Sequence, residues 1–492
     1  MDLNVKNSVL GTREERLGTI ITYNGTFDDL VNKTNDGSLK EAGRCFSQGS
    51  SCPSQCAISG MSSIRDVLVI NHGPTGCAAN AGTLANGTRL IVNSLGAKAS
   101  SSGLIGTDMN ENDTVFGASE ALKKIVLTAY KRHKPSAIAI ASSCVSGIIG
   151  EDLDSVIDDL KEEIPIPILP LHCEGFKSQV WASGFDIVDN AVFNGLVKPP
   201  KEKRNVINIK NFSQFGRKVI DDLFARLDIK PLYIYRNATI EELSHLSESL
   251  ATVSMCETLG SYIGTALEEK YGVPYISSIT PNGIVGFETW LREIGRVVNK
   301  QSEIEEYIEE QRAIYIPKIE EVKKKLKCKK VIIGMGPGLG WDAVRIVQEL
   351  GMEIEWTALW HYDKQHDDGK APQAVQYLAE NNTKDFNVSI SHIQGHELSN
   401  ILNKYNPDIF ITRHVGATAF AVKQGIPTYF MQNEYIMFGY KHTLQFANSL
   451  VDRITNRSFV RNLANNTKLP YKEWWFEQEN DLFQGKKEAQ NG

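Results

Sequence analysis

Residues 251–272 read ATVSMCETLGSYIGTALEEKYG, and this stretch holds the unit from which the chain is built. Its first part is a short β-branched run ending on Cys256. From Leu259 onward the apolar residues fall at helical spacing, and the run closes on Gly272, the residue type that caps helices in the left-handed conformation. The same order recurs from Arg65 onward. DVLVINHG, AIAIASSC, IPILPLHC, NVINIKN, LYIYRN, PYISSIT, KVIIGMG, EIEWTAL, DIFITRH and PTYFMQN are further candidate strands, and WDAVRIVQELG (residues 341–351) is a second clear helix. Strands that alternate with helices predict an α/β fold of parallel, doubly wound sheets.

With 492 residues, 41% of them hydrophobic, the chain is too long for one core and divides into two to four domains. Breaks are expected at KPPKEKR (residues 198–204) and at the end of the charged helix IEEYIEEQRAIYIPKIEEVKKKLKCKK (residues 304–330). These give an N-terminal extension (1–40), three α/β domains (41–204, 205–329 and 330–468) and a polar tail (469–492) in which Trp474 and Trp475 suggest docking. Net charge is −6 with acids and bases mixed, so no basic face points to nucleic acid. No apolar run reaches the roughly 18 residues that cross a bilayer, and the first residues lack a leader pattern. A cytoplasmic protein without a membrane partner is expected. In that compartment eight cysteines point to ligation, catalysis or burial rather than disulfides.

In open parallel sheets, ligands collect at the carboxyl ends of the strands. Cys77, Cys144, Cys173 and Cys256 each follow a candidate strand, and Cys52 and Cys56 precede the first one. Zinc is one reading, since Cys52 and Cys56 have a C-x3-C spacing, but no second close doublet completes it. A catalytic thiol with His72 or His172 as base is another. Iron–sulfur ligation fits better, because thiolates can come from loops far apart in the chain. Three ligands from one chain leave a cluster incomplete, which implies a second subunit.

The stretches CAISGMSSIRDVLVINHGPTGC, VFGASEALKKIV, SSCVSGIIGEDLDSV, CEGFKSQVWASGFDIVDNAV, MCETLGSYIGTALEEKYGVPY, LGMEIEWTALWHYDKQHDD and KQGIPTYF follow one another across residues 56–448. In that order they resemble the alpha-type subunit of nitrogenase component 1 and its nitrogenase-like relatives. The resemblance implies three Rossmann-like, doubly wound parallel-sheet domains around a central cofactor cavity. It further implies that Cys56, Cys77 and Cys144 hold half of a P-cluster-type iron–sulfur cluster shared with a homologous beta-type subunit in an α2β2 assembly. Cys52 is left for burial or as an alternative ligand, Cys173 for packing, and Cys45 and Cys328 carry no functional expectation. Cys256 corresponds to the thiolate that ties down a large iron–sulfur cofactor, of undefined heterometal. The far end of that cofactor falls to His442, or to Lys441 in an ungapped match. The resemblance implies that electrons come from a separate ATP-dependent iron protein, and the chain has no GxxxxGK[ST] loop of its own.

Departures from the resemblance bear on the substrate. Trp181 and Phe185 stand where nitrogen-reducing enzymes place a glutamine and a histidine beside the cofactor, and phenylalanine can neither donate a hydrogen bond nor give a proton. Ala85 and the loop GMGPGLGW (residues 334–341) take the places of family arginines. The resulting pocket is apolar and suits a small organic molecule such as a thioether, as in methylthio-alkane reductases, in preference to dinitrogen. GMGPGLG fails the G-x-G-x-x-G dinucleotide spacing from either start, so Gly336 and Gly338 are expected to pack backbone against the cofactor. His361, Asp363 and His366 could form a mononuclear metal site, or His361 alone could act as a donor to the cofactor. Arg413 and His414 could face the cavity or an anionic ligand. Two rival readings remain: a non-catalytic scaffold for cofactor assembly, and an unrelated zinc protein.

Overall fold

A computed structural model of the chain describes residues 8–41, 52–79, 103–211, 216–382, 384–391, 395–431 and 434–478. Cys45 and Ala85 lie outside them. The strands fall into three sheets. The first has the order β3-β2-β4-β5, with β2 Val67–His72, β3 Leu104–Gly106, β4 Ala137–Ser142 and β5 Ile168–Leu171, all parallel. The second, also parallel, has the order β7-β6-β8-β9, with β6 Val206–Lys210, β7 Lys230–Ile234, β8 Ala251–Ser254 and β9 Tyr275–Ile276. The third contains β10 Lys330–Met335, β11 Glu353–Leu359, β12 Asn387–Ser391, β13 Ile409–Thr412 and β14 Thr428–Phe430, parallel in the order β12-β11-β10-β13-β14.

Helices cover both faces of each sheet, which is why β2 and β4 are buried at every position and read as continuous apolar runs. The helix Glu257–Tyr271 ends where expected, with Gly272 left-handed at φ 64°. Its apolar face packs with that of the helix Ser183–Gly195 in one core, which also takes in residues of β2, β4 and β5.

The N-terminal residues are part of the fold rather than an appendage. Thr22–Thr26 forms β1, antiparallel to β12 at the edge of the third sheet. Ahead of it the short helix Arg13–Leu17 is closed by a capping box, in which the Thr12 hydroxyl accepts from the Glu15 N–H and the Glu15 carboxylate accepts from the Thr12 N–H. Arg13, 1% exposed, joins three parts of the chain. Its guanidinium is bidentate on Asp186 of the helix Ser183–Gly195, donates to the carbonyl of Thr258, and reaches Asp363 beyond β11. Arg16 adds ion pairs to Asp186 and Asp367. In the tail, Tyr471 stacks on Phe420 and Asn400 donates to the carbonyl of Trp475, so the expected docking is onto the third domain's own helices. Among the described residues, no helix is long and apolar enough to cross a membrane.

Candidate functional site

Two groups of residues meet at the strand ends. The first is an edge of sulfur. Cys52 is the N-cap of the helix Pro53–Met61, Cys77 follows β2, and Cys144 opens the helix Cys144–Ile148 behind the capping residue Ser143. Gly175 lies between two of them, since a Cβ there would stand 3.3 Å from Cys144 Sγ and 3.6 Å from Cys52 Sγ. Burial pushes the Cys77 thiol up, and the nearby Cys144 and Cys52 sulfurs push it further, so the three share one electrostatic neighbourhood. All three are partly exposed. Around them the apolar side chains of Phe116 (84% exposed), Ile148 (74%) and Phe176 (55%) face outward.

Cys56, which the sequence expectation named as a ligand, lies deeper than these three. One helical turn beyond Cys52, it is 7% exposed and faces the helix Ser183–Gly195, where a Cβ on Gly184 would lie 2.9 Å from Cys56 Cβ and collide with the carbonyl of Pro53. That crossing is too close for any side chain at position 184. Gly184→Val is expected to destabilise the chain by about 1–3 kcal/mol, seen as a lower thermal unfolding midpoint. Cys173 is buried, with its thiol donating to the Ser142 carbonyl and held up at about 12 by burial, as suits packing.

The second group lines a cavity of about 290 Å³ between the sheets. Cys256 caps the helix Glu257–Tyr271 and is 8% exposed, with burial holding its thiol up at about 12. Opposite it the helix Pro337–Glu349 begins, with Gly336 as N-cap. A Cβ on Gly338 would stand 2.5 Å from Cys256 Sγ, so only glycine lets this backbone approach the thiol. Trp181 and Phe185 form an aromatic wall, their rings edge to face at 5.9 Å, and His361 stands on the far side of Trp181, also edge to face at 5.9 Å. Asn211, Arg236, Arg413 and His414 complete the lining. The backbone from Tyr235 to Asn237 is left-handed at three successive residues (φ 64°, 40° and 77°), a costly conformation that carries Arg236 to the cavity. Burial, then the Arg413 charge, brings His414 down to about 4, so it is neutral near pH 7.

Four of the residues singled out in the sequence beside Cys256, namely Trp181, Phe185, Gly336 and Gly338, therefore line one cavity with His361. Lys441 and His442 do not. They line a separate groove with Phe287, Phe438 and Tyr440, where the His442 ring lies 3.0 Å from the Phe438 carbonyl at its Nδ1. The helix Gly439–Thr455 buries Tyr440, Thr443 and Phe446, and this turns residues 441 and 442 away from Cys256. The proposed mononuclear metal site is also absent. Asp363 is engaged by Arg13 and Thr19, and among the described residues no three His, Cys, Asp or Glu side chains converge on one ion. Arg13, Arg16, Asn211 and Arg236 were not anticipated from the sequence.

The sequence profile of the nitrogenase component 1 type oxidoreductases matches residues 52–455, and the chain belongs to that family. Within it, the chain is 28% identical over 419 residues to the nitrogenase molybdenum-iron protein alpha chain of Methanococcus maripaludis, covering 80% of this chain and 84% of the relative. It is 26% identical over 475 residues to the nitrogenase iron-molybdenum cofactor biosynthesis protein NifE of the same species (strain DSM 14266), covering 91% and 92%. The solved structure titled "Nitrogenase Cp1 at pH 6.5" superimposes with a TM-score of 0.68 at 20% identity over 88% of this chain and 94% of that one, which establishes the shared fold.

Proposed function

We propose that the chain is the catalytic alpha-type subunit of a nitrogenase-like iron–sulfur oxidoreductase. It would pair with a homologous beta-type subunit, take electrons from an ATP-dependent iron protein and reduce a small organic compound such as a thioether. The observation that carries this reading is the cavity: one enclosed thiol, Cys256, faces a glycine backbone and an aromatic wall in the space between the sheets.

The residues present fit a bound cofactor. Trp181 Nε1 and Asn211 Nδ2 are buried without a hydrogen-bond partner in the chain, and they line the same space as Cys256. Cys256 would supply a thiolate, with the backbone of 336–338 closing over it. The group itself supplies a site where electrons and substrate meet. Trp181 and Phe185 give an aromatic wall that fits an organic substrate, and Phe185 offers no hydrogen bond or proton to a reduced nitrogen intermediate. At the sulfur edge, Cys52, Cys77 and Cys144 would hold half of a shared cluster, and the exposed Phe116, Ile148 and Phe176 fit a face covered by the second subunit. Sulfurs that share a neighbourhood without converging on one ion suit a multi-iron cluster rather than zinc.

A second reading, an assembly scaffold, is favoured by one observation: no side chain from position 441 or 442 reaches the cavity opposite Cys256. Anaerobic co-purification with the beta-type chain, followed by iron, molybdenum and vanadium quantitation and a substrate panel, separates the two. A catalytic subunit retains its cofactor and turns over a thioether. A scaffold gives its cofactor up to an empty acceptor and reduces nothing, and an iron-free, colourless complex defeats both.

A further inference from the structure

We infer that His361 is the proton donor of the cavity, and that Asp363 and Arg13 are the positioning residues that keep its imidazole in that role. The inference rests on the reading of the cavity as a reducing site. His361 stands edge to face with Trp181 on the loop that leaves β11.

His361 is 1% exposed and lines the cavity. Its Nε2 stands 3.9 Å from Asp363 Oδ2, an ion-pair distance too long for a hydrogen bond. The Asp363 carboxylate is fixed from two further sides. Thr19 donates its hydroxyl to Oδ1 at 2.6 Å, and Arg13 Nη1 lies 3.4 Å from Oδ2. Burial by itself would raise the Asp363 carboxyl, but His361, Arg13 and the Thr19 hydroxyl outweigh it and hold the group below its usual range. Burial of the ring disfavours the imidazolium, and the Asp363 carboxylate beside it favours it. Arg13 is in turn held by Asp186, so the N-terminal helix reaches the chemistry of the third sheet through two ion pairs.

Among the described residues, three other imidazoles are excluded as donors. His414 also lines the cavity, but burial and Arg413 keep it neutral. His366 is buried behind Asp363 and does not line the cavity, and His442 lines a different groove. The charged groups around His361 are Asp363, His366 and Asp367 on its own loop, Arg13 and Arg16 from the N-terminal helix, and Asp186 from the helix Ser183–Gly195. Cys256, Arg236, Arg413 and His414 face it across the cavity. The cavity guanidiniums oppose a charged imidazole, which makes Asp363 necessary.

Reductive cleavage of a thioether consumes two electrons and two protons, R–S–R′ + 2e⁻ + 2H⁺ giving RH and R′SH: the C–S bond breaks and C–H and S–H bonds form. The bound iron–sulfur group would supply the electrons, and the His361 imidazolium would give up its N–H proton and be reprotonated before the second transfer.

The test uses the purified complex with His361→Gln, Asp363→Asn and Arg13→Lys. His361→Gln is expected to keep the wild-type iron content and electron paramagnetic spectrum while turnover falls by about 100-fold or more. Asp363→Asn is expected to move the alkaline limb of the pH profile down by about one unit, and Arg13→Lys, which keeps the charge and loses only the fork, to move it by less. Histidine NMR of the cluster-free full chain gives a readout independent of turnover, with the His361 ring holding its proton to higher pH in wild type than in Asp363→Asn. Unchanged turnover and pH profile in iron-replete His361→Gln overturn the inference alone, as do identical ring titrations. A wild-type complex without iron overturns the reading of the cavity as a reducing site, and the donor role with it.

Discussion

Cys256→Ala is expected to leave a folded, partner-bound chain whose cavity no longer retains its cofactor. The substitution removes one sulfur atom from a residue 8% exposed, a packing loss of about 1 kcal/mol, so the fold should survive. Ligation is another matter. The cavity lining offers other polar groups, among them Asn211, Arg236, His361, Arg413 and His414, but no second thiol. Losing the thiolate should therefore cost more than the roughly 10–100-fold that removal of an outer-sphere partner costs a metal site. Iron quantitation on the purified complex should show loss of the cavity's share, with the shared cluster kept, and turnover at background. The glycine at 338 sharpens the expectation. Gly338→Ala places a methyl 2.5 Å from the sulfur and should reproduce the loss with Cys256 intact. Full iron and activity in Cys256→Ala would remove the basis for the cavity as the cofactor's place.

How much of this was legible in the sequence depended on what each residue faced. Strands buried on both faces, such as AIAIAS at β4 and VLVINH at β2, are continuous apolar runs and are visible without a structure. Three others were missed. β1, TYNGT, is a polar antiparallel edge, and β3 has only three residues. In β12, NVSIS, Ser389 is polar yet buried because it accepts from Trp356 Nε1. The strand-end position of Cys256 followed directly from the strand–loop–helix order. Position 441 against 442 could not be settled that way, since neighbours on a helix point about 100° apart and neither direction is written in FGYKHTLQF. The latch of Arg13 had half of its signal in plain view. Thr12 and Glu15 spell a capping box, but Asp186 and Asp363 lie 173 and 350 residues away. From the sequence, residues 1–40 therefore read as an extension.

Cys52 and Cys56 provide the second large effect, because they sit one turn apart on the same chain segment and should behave oppositely. Cys52→Ser is expected to strip iron from the shared cluster and, with it, to weaken association with the beta-type subunit, since the cluster would be held by thiolates from both chains. Cys56→Ser is expected to keep the iron and lose only stability, because its side chain is enclosed at the crossing of the helices Pro53–Met61 and Ser183–Gly195. Placing a hydroxyl in that enclosed position costs about 1–3 kcal/mol, so the variant should unfold at lower temperature yet purify coloured. The two readouts, iron per complex and thermal midpoint, thus move on different variants. If Cys56→Ser lost the iron while Cys52→Ser retained it, the ligand set would be Cys56, Cys77 and Cys144, as the resemblance first implied.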